Sequence, residues 1–487
     1  MIASYIAVIF YTGLVIAVGI AGSRRMKGFS DFLIGGGNIG PWMTAFSYGT
    51  AYFSAVLFIG FAGKIGWGFG LSGLWIAVGN SLIGVLLVWL VLGRRVRKVA
   101  SELNVYTMPE FMEARYKSPF MKFFTSLAIF VFFLPYSAAV FIGLTYLLKI
   151  TFAIPYEYML IFMGVLTGIY LILGGYKSMA SVDVYFGVMM ILGVIILVAS
   201  GVSKAGSFGA VVEGLREIHP KLVAPVGPPG FWALFSLVIL TSVGPFAMPQ
   251  LIQKFYAVKD DRSIRIGMIV STVFAVIATI GAYYTGAMTR LFLNPVDNPG
   301  AWQTASDGSL KLIPEALMPE LLRTVVPGAL SGTILLLVLA ASMSTLAALV
   351  LVSASSIAKD LFGGFVRKDA GDRELTSAIR ISSAAFIILS MLIAYLRPAI
   401  IVTIISISWG AIAAVMLGPF IWGLFSNRVN RIGAIGTSLI SLTVCLVLFF
   451  MWGPKMSPRS ASLSMGLSLI LPPILSIFGK SEGSSIQ

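Results

Sequence analysis

The chain has 487 residues, 58% of them hydrophobic and only 11% charged, with a mean hydropathy of +0.96 and a net charge of +15. No soluble protein of this size could cover so much apolar surface, so the class is a polytopic membrane protein. The positive balance invites a nucleic-acid partner, but its placement argues for topology instead: Arg24, Arg25 and Lys27, Arg94 to Lys98, Arg115 to Lys122, Lys254 to Arg265, Lys359 to Arg380, and Arg428 with Arg431 fall in alternate connections, which the positive-inside rule makes cytoplasmic.

Apolar runs long enough to cross a bilayer recur about thirteen times. The first, Ile2 to Gly22, carries its positive charges after the apolar run, so it reads as an uncleaved span that starts outside. A glycine-rich connection, Phe29 to Gly40, leads into the second span, Pro41 to Phe61. The middle of that span, Ser47 to Ser54, crowds hydroxyls around Gly49, which predicts a helix interrupted near Gly49 with main-chain carbonyls released as hard oxygen ligands. A tight helix contact through small residues is the alternative. Span three, Gly70 to Gly93, runs into a basic segment in which Thr107 to Tyr116 predicts a short amphipathic helix at the inner surface.

Spans four and five cover Lys122 to Leu148 and Tyr158 to Leu173, and a short connection, Gly174 to Ser178, precedes span six, Met179 to Ser200. Asp183 lies at the inner end of span six, where an ionisable group needs a partner; Lys177 is one candidate and a bound cation the other. Span seven, Phe231 to Leu251, contains Gly244, Pro245 and Pro249, which predict a second broken helix. Spans eight and nine follow at Ile266 to Met288 and Gly328 to Ile357, separated by a long external loop, and span nine carries Ala340 to Thr345. The last four lie near Ile379–Tyr395, Ala399–Phe425, Ile432–Met451 and Leu463–Phe478.

The two predicted breaks lie five spans apart. Five is odd, so the second unit enters the membrane with the opposite heading, the pattern that points to a solute site between inverted repeats. Ser344 and Thr345 on span nine are candidates to reach a small cation at the first break, with the Ala341 carbonyl one turn away; bonding to their own i−4 carbonyls is the alternative. Metal clusters and phosphate loops are excluded by composition: one His (His219), one Cys (Cys445) and no GxxxxGK[ST]. A membrane enzyme therefore lacks a site, and a channel lacks a repeated filter or charged ring.

Seven segments in order resemble the sodium:solute symporter family over nearly the whole length: Asp31 to Pro41, Gly49 to Ala55, Thr107 to Tyr116, Gly174 to Asp183, Ala340 to Thr345, Ser355 to Phe362 and Asn427 to Ala434. The pattern is nearest to sodium/pantothenate symporters, with sodium/proline symporters next. The resemblance implies an all-α, LeuT-like core of two inverted five-helix repeats within about 13 transmembrane helices. It divides a single membrane domain into 1–40 (first helix and linker), 41–230 (first repeat), 231–425 (second repeat) and 426–487 (last two helices and tail).

The same resemblance implies Na+ as coupling ion, held by the carbonyls of Thr50, Phe53 and Ala341 and the hydroxyls of Ser344 and Thr345, with Asp183 where some relatives hold a further cation. It implies a solute near Tyr52, Ser54, Thr241, Pro245, Met248 and Trp409. The expected function is import of a small carboxylate or amino-acid-like solute by alternating access, not enzyme catalysis; a channel or an H+-coupled transporter is the alternative. The expected setting is the plasma membrane, as a monomer without nucleic-acid partners, with the N-terminus outside and the C-terminus cytoplasmic. Departures from the family pattern are Tyr52 in place of the aspartate of proline-type relatives, Gly37 in place of a frequent arginine, and Phe186 in place of a glutamine after the aspartate of span six. Thr241 and Pro245 do not match the aromatic lining of the proline pocket, so proline specificity does not carry over.

Overall fold

A computed structural model describes residues 2–23, 29–37 and 39–479. Its helices, in chain order, are α1 (Ile2–Ser23), α2 (Phe29–Ile34), α3 (Pro41–Tyr52), α4 (Ala62–Phe69), α5 (Leu74–Ser81), α6 (Val88–Leu103), α7 (Met108–Tyr116), α8 (Pro119–Phe152), α9 (Tyr156–Ala205) and α10 (Phe208–Ile218). The second half continues with α11 (Phe231–Val243), α12 (Pro249–Ala257), α13 (Asp261–Phe292), α14 (Pro314–Val325), α15 (Ser331–Ser355), α16 (Asp372–Leu396), α17 (Ile401–Phe425), α18 (Arg431–Trp452) and α19 (Ser457–Leu475). A two-stranded hairpin, Trp302–Thr304 against Leu310–Leu312, sits between α13 and α14.

Eleven helical segments among the described residues are long and apolar enough to cross a bilayer, with Tyr156–Ile172 as a shorter apolar helix. One of the eleven, Pro41–Leu103, has 63 residues, about 95 Å at 1.5 Å per residue, against about 30 Å of hydrocarbon. It turns at Gly70, whose φ of +60° needs a glycine. The 50 residues of α9 bend at Gly175 (φ 63°, ψ −179°), so the connection expected at Gly174 to Ser178 is a kink inside one assigned helix and not a loop. The third span extends to Leu103, ten residues beyond its expected end at Gly93, because the Arg-rich segment continues the helix.

Burial separates a core from a rim. The windows of α15 and α17 are 94% buried, whereas those of α1 and α18 are 28% buried and that of the last span 33%. Helices buried all round carry no polar face to spare, so the hydroxyls of α15 must find partners within the bundle.

The heading of the two broken helices is visible at one end of the bundle. Ile39, just before α3 begins, pairs with the chain just after α12 ends: Ile39 N donates to the Ala257 carbonyl and Lys259 N donates to the Ile39 carbonyl, both at 3.1 Å. One helix therefore starts at the face where the other finishes, which is the inverted arrangement.

Local chemistry sets the smaller elements. Thr107 and Glu110 form a capping box at the start of α7, with Pro109 in its first turn. This helix is not the amphipathic surface element the sequence suggests, because Phe111, Met112, Arg115 and Tyr116 are all buried. Arg115 donates to the carbonyls of Gly423 (3.0 Å) and Ser426 (2.7 Å), tying α7 beneath the end of α17.

At the opposite end of α17 the cap is supplied in trans. Glu315 of α14, only 6% exposed, accepts a hydrogen bond from Ile401 N at 2.9 Å, and Ile400 offers no side-chain cap of its own. Glu315→Ala is expected to cost about 1–3 kcal/mol by leaving that amide unsatisfied, read as a lower melting temperature, with Glu315→Gln retaining most of it. Burial pushes the Glu315 carboxyl above the usual carboxylate range. A raised native value makes the associated stability full at low pH and lost as pH rises through that value. The wild type should therefore lose ground to Glu315→Gln as pH rises.

Candidate functional site

The first helix is interrupted, but not at Gly49. Helix α3 winds through Gly49 and ends at Tyr52; Phe53 is extended (φ −102°, ψ 90°) and Ser54 is non-helical before the chain turns into a π-helix at Val56–Phe61. The role of Gly49 is space: a Cβ there would lie 2.5 Å from the Phe274 ring. The second interruption falls where the sequence places it. After α11, Gly244–Phe246 forms a 3-10 turn, Met248 is extended, and Pro249 opens α12.

The last turn of α3 meets α15. Thr345 Oγ1 donates to the carbonyls of Thr50 (3.2 Å) and Ala51 (3.1 Å), and Ser344 Oγ donates to Thr50 Oγ1 at 2.8 Å. Neither uses its own i−4 carbonyl, whereas Ser342 two residues earlier does so with Val338. Thr50, Ala51, Ser344 and Thr345 therefore belong to one cluster of oxygens; Ala341 lies buried one turn before Thr345 on α15, and Phe53 stands at the break that follows Tyr52. Ala51 is a member that the sequence does not single out, because a carbonyl leaves no mark in residue type.

Asp183 is fully buried and neighbours this cluster; the hydroxyls of Ser344, Ser47 and Thr50 and the charge of Lys254 act on its carboxylate. Lys177, the partner the sequence suggests, has its side chain outside the described residues. Lys254, expected in a basic cytoplasmic connection, is instead fully buried on α12.

A cavity lies between the two breaks. Tyr52, Ser54, Thr241 and Trp409 line it, joined by Asn80, Tyr136 and Tyr283. Pro245 and Met248 are buried at the second break but do not line it. Tyr52 bridges the breaks: its hydroxyl donates to the Thr241 carbonyl and its ring stacks on Trp409 at 5.9 Å. Among the described residues the hydroxyl of Tyr283 and the indole N–H of Trp409 make no hydrogen bond, so the lining offers donors without a charged side chain. Asn80 and Tyr136 come from other spans; an amide inside the apolar run of span three was the available signal for the first. Tyr52→Phe is expected to raise the half-saturating solute concentration about tenfold, the value of one net hydrogen bond, checked by uptake in proteoliposomes.

Two opposed, broken helices with an aromatic cavity between them are the arrangement in which secondary transporters hold their solute. The family model described as Sodium:solute symporter family matches residues 32–441. The chain belongs to that family, whose members are transporters, not enzymes, and Na+ is its coupling ion. It is a multi-pass plasma-membrane protein that takes a small-molecule solute. Among its relatives, a sodium/pantothenate symporter of Haemophilus influenzae is 28% identical over 87% of this chain and 86% of its own. A sodium/proline symporter of Escherichia coli is 26% identical over 97% of this chain and 92% of its own. In fold, an outward-open Na+-coupled sialic acid symporter superposes with a TM-score of 0.77 at 17% identity, covering 98% of both chains. Mhp1, a nucleobase-cation-symport-1 family transporter, superposes at 0.56 with 11% identity over 91% of this chain and 92% of its own.

Proposed function

We propose that the protein imports a small carboxylate or amino-acid-like solute, of the size of pantothenate, proline or a monocarboxylate, by Na+ symport with alternating access. The observation that carries this reading is the junction of α3 and α15, where Thr345 and Ser344 reach the oxygens of Thr50 and Ala51 across the bundle. Sodium would be held by the carbonyls of Thr50, Phe53 and Ala341 and the hydroxyls of Ser344 and Thr345, with Asp183 as the place of a further cation. Five uncharged oxygens suit a small hard ion that has shed its water. The ion then ties the broken helix to α15 and favours the state that accepts solute.

The solute would occupy the cavity lined by Tyr52, Ser54, Thr241 and Trp409, with Pro245 and Met248 shaping the break behind it. With no charged side chain in that lining, a carboxylate would be received by indole, phenol and amide donors and by main-chain N–H groups at the breaks. Each sodium carried down 100 mV supplies about 2.3 kcal/mol before its concentration gradient is counted. The repeats would divide at 41–230 and 231–425, with the N-terminus outside, the C-terminus cytoplasmic and the monomer as the working unit.

The test is uptake of labelled pantothenate, proline and lactate into proteoliposomes with an inward Na+ gradient. Accumulation of one of them that requires Na+ and collapses with the gradient is expected. Uptake of the same solute at equal rate in choline would overturn the reading.

A further inference from the structure

Asp183 and Lys254 are both fully buried, and among the described residues neither the carboxylate oxygens nor the ammonium makes a hydrogen bond. Lys254 Nζ lies 4.8 Å from the centre of the Tyr176 ring, whose own hydroxyl is without a hydrogen bond. Tyr176 and Asp183 are seven residues apart on α9, two helical turns, and so share one face. The strongest charge acting on the carboxylate is that of Lys254. A buried charge without a counter-charge is too costly to persist, whereas opposite charges in one low-dielectric pocket neutralise each other, and the ring face adds to the hold on the ammonium.

The hydroxyls of Ser344, Ser47 and Thr50 also act on Asp183, so removal of the ammonium would leave the carboxylate with oxygens about it for a metal ion. A sodium ion stripped of water needs about five or six oxygens.

We propose that the cation serving Asp183 is the chain's own Lys254 ammonium, so that the carboxylate recruits no second sodium and the solute is coupled to one Na+. The inference rests on the sodium reading of the Thr50–Ser344–Thr345 cluster and adds its stoichiometry. It also assigns a positioning role, since Lys254 rides on the half-helix after the second break and Asp183 on a helix of the first repeat. Opening the bundle at α12 changes the distance between them.

The test is equilibrium binding of radiolabelled Na+ alone to the purified full-length protein in nanodiscs, wild type against Lys254→Met. One ion per wild-type chain and two per Lys254→Met chain is the expected result. Two ions on the wild type overturn the inference and leave the sodium reading standing, as does one ion on both. No saturable Na+ binding to either overturns the sodium reading and the inference with it. Melting temperatures in choline chloride give a second readout that survives poor folding of the single variant. Lys254→Met and Asp183→Asn should each unfold earlier than wild type, and the double variant should recover most of the loss. A double variant in which the two losses add overturns the pairing.

Discussion

Replacing Thr345 with alanine is expected to raise the Na+ concentration for half-maximal uptake by about tenfold to a hundredfold, the value of one hydrogen-bonding oxygen to a charged group. Thr345 is the residue of α15 that spans two carbonyls of the broken helix, at 3.2 Å to Thr50 and 3.1 Å to Ala51. On the proposed sodium reading, removing its hydroxyl deletes one ion ligand together with the contact that holds the Thr50 and Ala51 carbonyls. Thr345→Ser keeps the oxygen and should stay near wild type, which separates loss of a ligand from loss of packing. Na+ titration of uptake in proteoliposomes reads both. An equal shift in Thr345→Ser would assign the effect to the missing methyl group instead.

The second large effect is expected at Gly286. Helices α4 and α13 approach until their backbones touch: a Cβ on Gly286 would lie 2.0 Å from the Ala62 carbonyl oxygen, and one on Gly66 would lie 2.0 Å from the Gly286 carbonyl carbon. Both obstacles are main chain and cannot rotate away. Small residues are what allow such approaches where lipid supplies no hydrophobic drive between helices. Gly286→Ala should therefore cost about 3 kcal/mol or more, the upper range for overpacking, and strip most folded protein from the membrane. Gly13→Ala on α1, where a Cβ meets nothing within 4 Å, should express at least as well as wild type. Size-exclusion profiles of fluorescently tagged variants distinguish these outcomes.

What could be read from the sequence depended on whether the cause was local. The second break was legible because Pro245 and Pro249 act on their own turns whatever surrounds them. The first was displaced by four residues, since a glycine that frees the backbone and a glycine that admits a neighbouring ring look alike in sequence, and Gly49 is the second kind. The Ser344–Thr345 pair was legible as polar groups in an apolar helix, but their target on α3 is set by the crossing of two helices almost 300 residues apart. Lys254 was read with the basic residues that follow it. Its burial depends on how α12 packs after the break, which charge patterning does not report. Tyr283 and Tyr136 reach the cavity from separate helices and sit among many other aromatics, so residue type alone did not mark them.

The most direct test is the melting temperature of purified protein in NaCl against equimolar choline chloride, for the wild type and for the Ser344→Ala/Thr345→Ala variant. The wild type should be stabilised by Na+ in a saturable way with no solute present, and the variant should show no difference between the two salts. A Na+-specific shift of equal size in both proteins would mean that the ion binds elsewhere, and the junction of α3 and α15 would not be the coupling site.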